Sequence, residues 1–83
     1  MKNKLFVGSL AWATTDESLA AAFSQCGEVL SARVMTDRDT GRSRGFGFVE
    51  MATDEAADAA IDMWNGKELD GRAIVVNIAR PKN

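Results

Sequence analysis

The eight-residue stretch RGFGFVEM, residues 44–51, restricts the fold more than any other part of this chain. Its composition predicts a β-strand, in which successive side chains point to opposite faces of a sheet. Arg44 and Glu50 are charged, and alternation puts both on the same face. Phe46 and Phe48 lie between them on that face, while the other face carries small and aliphatic residues. Because unpaired charges are almost never buried, the face with the two phenylalanines is predicted to be open to solvent.

The first predicted strand, residues 4–8, obeys the same rule. Lys4 shares its face with Phe6, and the aliphatic residues of the segment point the other way. Three phenylalanine rings and Arg44 are therefore predicted to share one open sheet surface. The inverted arrangement would bury charges and expose aliphatic side chains on two strands at once, so burial preferences disfavour it.

Two helices are predicted between the strands. Thr14 and Glu17 have the spacing of a capping box at the start of the first helix, which ends at Gly27. Thr53 can cap the second helix, which ends at Asn65-Gly66. Each helix has an apolar stripe at helical spacing, formed by Leu19, Ala22, Phe23 and Cys26 in the first and by Ala57, Ala60, Ile61 and Trp64 in the second.

Further strands are predicted at residues 29–36 and 73–79, with a short edge strand at 67–69 before an Asp70-Gly71 turn. The element order is then β-α-β-β-α-β. This order favours a ferredoxin-like α+β sandwich, in which a four-stranded antiparallel sheet carries both helices on one face.

Five residues outside the open surface are interpreted as structural. Gly45 and Gly47 are expected to let a helix approach the back of their strand closely. Trp12, in the first strand-to-helix loop, is expected to cover the edge of the core rather than to stack on a base. Trp64 and Cys26, at the ends of the two helical stripes, are expected to belong to the core.

Charge is segregated along the chain, although the net charge is only −2 and the pI about 5.0. Residues 5–32 carry −3 and residues 50–70 carry −6, mostly in the predicted helices. Residues 1–4, 33–44 and 71–83 carry +2, +2 and +3, in strands, the long loop and the termini. The net acidity therefore hides a basic side on which an anionic partner can bind.

Composition excludes several classes of function. The 83 residues are enough for one domain, 1–83, and they contain no His and a single Cys. Imidazole catalysis, His-ligated metals and disulfides within the chain are therefore ruled out. No apolar run approaches the roughly 20 residues of a membrane span, and no segment at the start has the form of a signal peptide. We expect a cytoplasmic monomer without a cofactor, a small-molecule substrate or a membrane partner.

The stretch at residues 44–51 resembles the octamer motif of the RNA recognition motif (RRM) family, which runs Lys/Arg, Gly, aromatic, Gly/Ala, aromatic, Val, any residue, aromatic. It matches at seven of eight positions. Leu5 to Leu10 is similar to the hexamer motif of the family. In the hexamer motif Ser9 replaces the usual Asn, which is expected to loosen one hydrogen bond in the following loop. In the octamer motif Met51 replaces the last aromatic residue, and by alternation Met51 is expected to face the core. The chain is also similar to small bacterial single-RRM proteins and to glycine-rich, cold-inducible RNA-binding proteins.

The resemblance implies binding of single-stranded RNA on the open sheet face, with single-stranded DNA as an alternative polymer. Phe6 and Phe48 would stack on neighbouring bases, Phe46 would pack against ribose, and Arg44 would pair with phosphate. The remaining predicted contact residues come from the strands, the long loop and the end of the last strand, and they are Lys4, Arg33, Met35, Arg42, Asn77, Ala79 and Arg80. For Met35 an equally good interpretation is an ordinary exposed side chain without a role in binding. For Arg42, and for Arg38 in the same loop, the alternative is a charged side chain that is simply solvated.

Two other functions remain as alternatives. Sandwiches of this size also serve as small phosphatases and metal carriers, but this chain lacks the Cys pair, the His and the Gly-rich phosphate loop of such proteins. A protein-binding relative of the RRM fold is the second alternative, because an exposed apolar patch can also bind protein. Such variants usually lose the sheet aromatics, and this chain keeps all three.

Overall fold

The computed structural model describes residues 3–79, apart from the side chain of Ser43, and its element order confirms the predicted one. The elements are β1 (Lys4–Gly8), α1 (Asp16–Phe23), β2 (Val29–Thr36), β3 (Ser43–Met51), α2 (Asp54–Trp64), β4 (Glu68–Leu69), β5 (Arg72–Ala73) and β6 (Val75–Ile78). In this part of the chain, no helix has the length and apolar character that crossing a membrane would require.

Four strands form one antiparallel sheet in the order β2-β3-β1-β6. The aliphatic residues that alternate with the phenylalanines face a core shared with both helices. Its fully buried members are Leu5, Val7, Leu19, Phe23, Val49, Met51, Ala57, Ala60, Ile74 and Val76. The predicted ferredoxin-like α+β sandwich, with both helices on one side of the sheet, is thus confirmed.

The start of α1 differs from the prediction by one residue. Thr15, not Thr14, is the N-cap, and it exchanges reciprocal hydrogen bonds with Ser18, not with Glu17. The Thr14 hydroxyl instead donates to the Asp70 carboxylate at 2.7 Å. This contact ties the loop after β1 to the β4-β5 turn and leaves Thr14 buried. Thr53 caps α2 as predicted.

The last predicted strand is divided in two. Ala73 pairs with Glu68 in a separate two-stranded hairpin, and β6 begins only at Val75. The side-chain alternation across the break still follows the prediction, since Ile74 and Val76 are buried.

The expected reason for Gly45 and Gly47 is wrong. A Cβ on Gly47 would clash with the carbonyl oxygen of Arg33, so the close neighbour is the backbone of β2 and not a helix. At Gly45 no atom of the described residues, its chain neighbours aside, lies within 4 Å of a Cβ, and its φ of +85° is the feature that favours glycine. Both lie where the β2-β3 register shifts, between Val34 and Thr36. These glycines therefore shape a β-bulge.

The outer layer of the core joins the two helices. The Trp64 ring stacks on Phe23 at 6.0 Å, and its Nε1–H donates to the Ala22 carbonyl at 3.2 Å. Cys26 packs beside them half-buried, with its Sγ 3.3 Å from the Met63 Sδ. Burial raises the pKa of the Cys26 thiol, against the smaller lowering effect of its contact with Trp64. The thiol is therefore protonated at neutral pH and poorly nucleophilic.

Candidate nucleic-acid interface

Three phenylalanine rings form a continuous surface on the face of the sheet opposite the helices. Phe6 lies 5.8 Å from Phe46 and 5.9 Å from Phe48, and Phe46 lies 6.2 Å from Phe48, measured between ring centroids. All three side chains are half-buried, since they shield one another while keeping ring area accessible. We call Phe6, Phe46 and Phe48 the aromatic surface.

The strand register lines up four predicted residues across the sheet. Phe48 is paired with Phe6 on one side and with Arg33 on the other, and Phe6 is paired with Asn77. Because neighbouring strands lie about 4.8 Å apart, the row Arg33-Phe48-Phe6-Asn77 spans about 14 Å. Arg33 and Asn77 are exposed at its two ends. The row has the length of a few nucleotides and places a cation at one end and an amide at the other.

Two cationic side chains lie over the aromatic surface. Lys4 Nζ is 5.7 Å from the Phe48 ring centroid, and the Arg44 guanidinium carbon is 5.6 Å from that of Phe46. Such contacts contribute about 0.5–1 kcal/mol each at exposed sites. Both charges are solvent-exposed and stand next to the rings, where they can meet the phosphates of a chain whose bases stack.

Gly8 leaves room for the Phe6 ring. A Cβ on Gly8 would lie 3.0 Å from Phe6 Cε1 and 3.4 Å from Phe6 Cζ. The ring therefore leans along β1 over Gly8, which also pairs with Phe46. Without a side chain at this position, the Phe6 ring can lie close against the sheet.

The remaining predicted contact residues are less uniformly placed. Met35 is half-buried where the β2-β3 pairing is irregular. The N–H of Ala79 donates to the Lys4 carbonyl at 2.8 Å, which ties the end of β6 to β1. Arg80 lies outside the described residues.

Arg42 and Trp12 form a separate pair. The Arg42 guanidinium carbon lies 5.2 Å from the Trp12 ring centroid, and Trp12 is 70% exposed. The expectation that Trp12 covers the edge of the core is therefore wrong. In the same loop, the buried side chain is that of Leu10, which is 1% exposed. Trp12 lies in a loop, and a loop has no periodic pattern of apolar residues from which the direction of a side chain can be predicted.

The two departures from the family motifs have physical explanations. Ser9 adopts a φ of +59°, in the left-handed region where Asn is much better tolerated than Ser. The replacement therefore acts on the backbone conformation at the end of β1. Met51 is fully buried, as parity indicated, and does not reach the open face.

Charge is distributed between the layers as expected. The acidic residues Glu55, Asp58 and Asp62 are exposed on the outer side of α2. On the open face, the cations Lys4, Arg33 and Arg44 accompany a single acidic side chain, Glu50, within the described residues. Residues 3–79 contain no cluster of three His, Cys, Asp or Glu side chains that could hold a metal. The chemistry available at this surface is stacking, supplemented by cation and amide contacts.

Comparisons with known proteins agree with the geometry. The family model described as RNA recognition motif matches residues 5–75. The barley (Hordeum vulgare) glycine-rich RNA-binding protein blt801 is 56% identical over 79 residues, which are 95% of this chain and 49% of that protein. The chain thus spans about half the length of the curated relatives it matches.

Two solved structures have the same fold. RNA binding protein PG1 superposes with a TM-score of 0.88 at 46% identity, covering 95% of this chain and 98% of that one. A complex of Sxl-lethal protein with RNA superposes with a TM-score of 0.92 at 31% identity, covering 100% of this chain and 50% of that one.

Proposed function

We propose that this chain, which belongs to the RNA recognition motif family, binds single-stranded RNA by stacking bases on its aromatic surface. The observation that carries the proposal is the grouping of Phe6, Phe46 and Phe48 within about 6 Å of one another on the open face. Flat rings on a flat sheet match splayed bases, and each stacked base contributes about 1–3 kcal/mol.

Each residue of the surface has a distinct role in this proposal. Phe6 and Phe48, which face each other across β1 and β3, stack on two neighbouring bases. Phe46 packs against ribose, and Arg44 above it pairs with a phosphate. Asn77, beside Phe6 in the register, offers its amide to a base edge.

The charge balance supports weak, stacking-dominated binding. With a net charge of −2, the chain attracts RNA only weakly over long distances. A domain of this size reads about two to four bases, so sequence specificity is low. A sub-nanomolar affinity for one short sequence would contradict this part of the proposal.

The test is a titration of fluorescently labelled single-stranded RNA followed by anisotropy. The Phe6→Ala/Phe48→Ala variant removes two stacking partners and is expected to bind at least about 30-fold more weakly than wild type. Unlabelled DNA of the same sequence and duplex RNA serve as competitors. We expect the single-stranded DNA to compete and the duplex to compete poorly, since its bases are not exposed for stacking.

The matched control removes two exposed apolar side chains from the other side of the molecule. Leu30 is 55% exposed in a groove beside α1, and Met63 is 44% exposed on α2. The Leu30→Ala/Met63→Ala variant is expected to bind RNA like wild type. Equal binding by wild type and Phe6→Ala/Phe48→Ala would contradict stacking and favour the protein-binding alternative, whose basis is the exposed aromatic patch.

The cellular role follows from loose RNA recognition. We propose an RNA chaperone or a post-transcriptional regulator that acts as a cytoplasmic monomer and not as an enzyme. Sequencing of RNA crosslinked to the protein in cells tests the proposed role. Cell fractionation tests the location, and size-exclusion chromatography tests the oligomeric state. Recovery of one defined RNA target would contradict the chaperone role.

A further inference from the structure

A second row of side chains crosses the open face beside the phenylalanines, and it is polar. In the strand register, Glu50 of β3 is paired with Lys4 of β1 on one side and with Ser31 of β2 on the other. Glu50 follows Phe48 by two residues on the same face, so this polar row lies about 7 Å from the row that contains Phe48. A base that stacks on Phe48 therefore has its edge within reach of the polar row.

The Glu50 carboxylate is not used to hold the fold together. It is half-buried, and among residues 3–79 it makes no hydrogen bond and no ion pair, although Lys4 stands directly opposite. Lys4 Nζ lies instead 5.7 Å from the centroid of the Phe48 ring. A carboxylate and an ammonium group are thus both available beside the same ring.

An acidic side chain on this face needs an explanation, because the proposed partner is a polyanion. Glu50 is the single acidic residue of the open face within the described part of the chain, and its charge repels nearby phosphates. The same charge becomes favourable where a carboxylate accepts hydrogen bonds from the edge of a base. The position of Glu50 next to a stacking ring, away from Arg44 at the other end of β3, suits contact with a base edge.

Guanine has the base edge that matches this pair of charges. Its Watson–Crick edge presents one acceptor, O6, followed by two donors, N1–H and the N2 amino group. The Lys4 ammonium group has only donors, and the Glu50 carboxylate has only acceptors. Lys4 can therefore donate to O6 while the two carboxylate oxygens accept from N1–H and from the N2 amino group.

The other three bases match this pair less well. Adenine and cytosine each carry an acceptor nitrogen next to their amino group, and this nitrogen would face a carboxylate oxygen. Uracil presents O4 and N3–H in the favourable order, but its O2 would then face the second carboxylate oxygen. The expected order of preference is guanine, then uracil, then adenine and cytosine.

We propose that Lys4 and Glu50 select guanine as the base that stacks on Phe48. The proposal rests on the proposed function, because the base must first stack on that ring. Lys4 has three N–H donors, so contact with O6 leaves others for a phosphate. A preference at one position leaves the rest of the bound strand unread and agrees with loose overall specificity.

The experiment compares short RNAs that differ in one base. The probes are labelled tetracytidine and the same RNA with guanine, uracil or adenine at its second position, titrated by anisotropy. Adenine is the decisive comparison, because both purines offer a large flat surface for stacking. Wild type is expected to bind the guanine probe about 5-fold or more tightly than the adenine probe. Inosine, which is guanine without the N2 amino group, is expected to bind about 3-fold or more weakly than guanine.

Two variants locate the preference on the protein. Glu50→Ala is expected to bind guanine and inosine probes equally, and to bind the adenine probe at least as tightly as wild type does, since a repelling charge is lost. Glu55→Ala removes an exposed acidic side chain from α2 and is the matched control. This control is expected to keep the full preference for guanine.

The outcomes separate the selection of guanine from the stacking itself. Equal affinity of wild type for the guanine and adenine probes, or for guanine and inosine, would overturn the role of the Lys4-Glu50 pair. A guanine preference that survives in Glu50→Ala, or an equal gain of that variant on all four probes, would also overturn it. In each case stacking would stand, because Phe6→Ala/Phe48→Ala is expected to weaken all four probes. Its failure to do so would overturn the proposed function.

Discussion

The two faces of the sheet are made by alternating residues of the same strands, yet they have opposite properties. In β1, Leu5 and Val7 are fully buried against the helices, while Phe6 between them is half-exposed with its ring over Gly8. The covered face is aliphatic and closely packed, and its role is to stabilise the fold. The open face keeps aromatic rings in water, where they contribute less to folding than burial would give. This difference between the two faces supports the proposal that the open-face rings contact a partner.

The largest expected effect separates the two faces at adjacent residues of β1. Leu5→Ala creates a cavity and is expected to reduce the free energy of unfolding by about 2–5 kcal/mol. Phe6→Ala removes a half-buried ring that contacts Phe46, Phe48 and the backbone at Gly8, and is expected to cost about 1–2 kcal/mol. Urea denaturation followed by circular dichroism measures both. A loss for Phe6→Ala as large as that for Leu5→Ala would place the ring in the core.

A glycine on each face gives the next contrast. Gly47→Ala forces a Cβ against the β2 backbone and is expected to cost about 1–3 kcal/mol of stability. Gly8→Ala brings a Cβ close to the edge of the Phe6 ring, which can move, and into ordinary contact with Val75. This variant is expected to fold normally and to bind RNA more weakly, because the displaced ring no longer lies against the sheet. Normal RNA affinity in Gly8→Ala would show that the position of this ring is unimportant.

The salt dependence of RNA affinity compares the cations of the open face with a cation elsewhere on the molecule. With about three phosphate contacts on the open face, log affinity is expected to fall against log salt with a slope of about −2. Arg44→Gln should reduce the magnitude of this slope by about 0.7. Lys67→Gln, in the loop between α2 and β4, is the matched control and should leave it unchanged. A flat salt response in wild type would exclude the proposed cation contacts.

The smallest effect is expected where β1 leaves the sheet. Ser9 has a left-handed backbone conformation, which Asn adopts more readily. Ser9→Asn is expected to raise the free energy of unfolding by up to about 1 kcal/mol, without changing either face. Thermal denaturation tests this, and a lowered melting temperature would contradict it.

Alternation made both faces predictable from the sequence. A strand has a strict period of two, so the charges of Lys4, Arg44 and Glu50 were enough to identify the open side and to place the aromatic surface there. The helices were predictable for a similar reason, because their apolar stripes recur at helical spacing.

The features that escaped prediction depend on contacts between distant parts of the chain. Thr14 and Thr15 are both reasonable caps for α1, and the choice follows from a hydrogen bond between Thr14 and Asp70, 56 residues away. The direction of the Trp12 side chain depends on the loop anchored by Leu10 and on Arg42 from another loop. The role of Gly47 depends on the backbone of a neighbouring strand. None of these contacts leaves a local periodicity in the sequence.

The four phenylalanines of this chain provide the most direct test of the central claim. Phe6, Phe46 and Phe48 form the aromatic surface, while Phe23 is fully buried under Trp64. The measurement is an NMR titration of protein carrying isotope-labelled phenylalanine rings with single-stranded RNA. Stacked bases are expected to shift the ring signals of the three open-face residues and to leave those of Phe23 unchanged. Unshifted signals from the open face in RNA-bound protein, or a shift of Phe23 as large as theirs, would contradict the account.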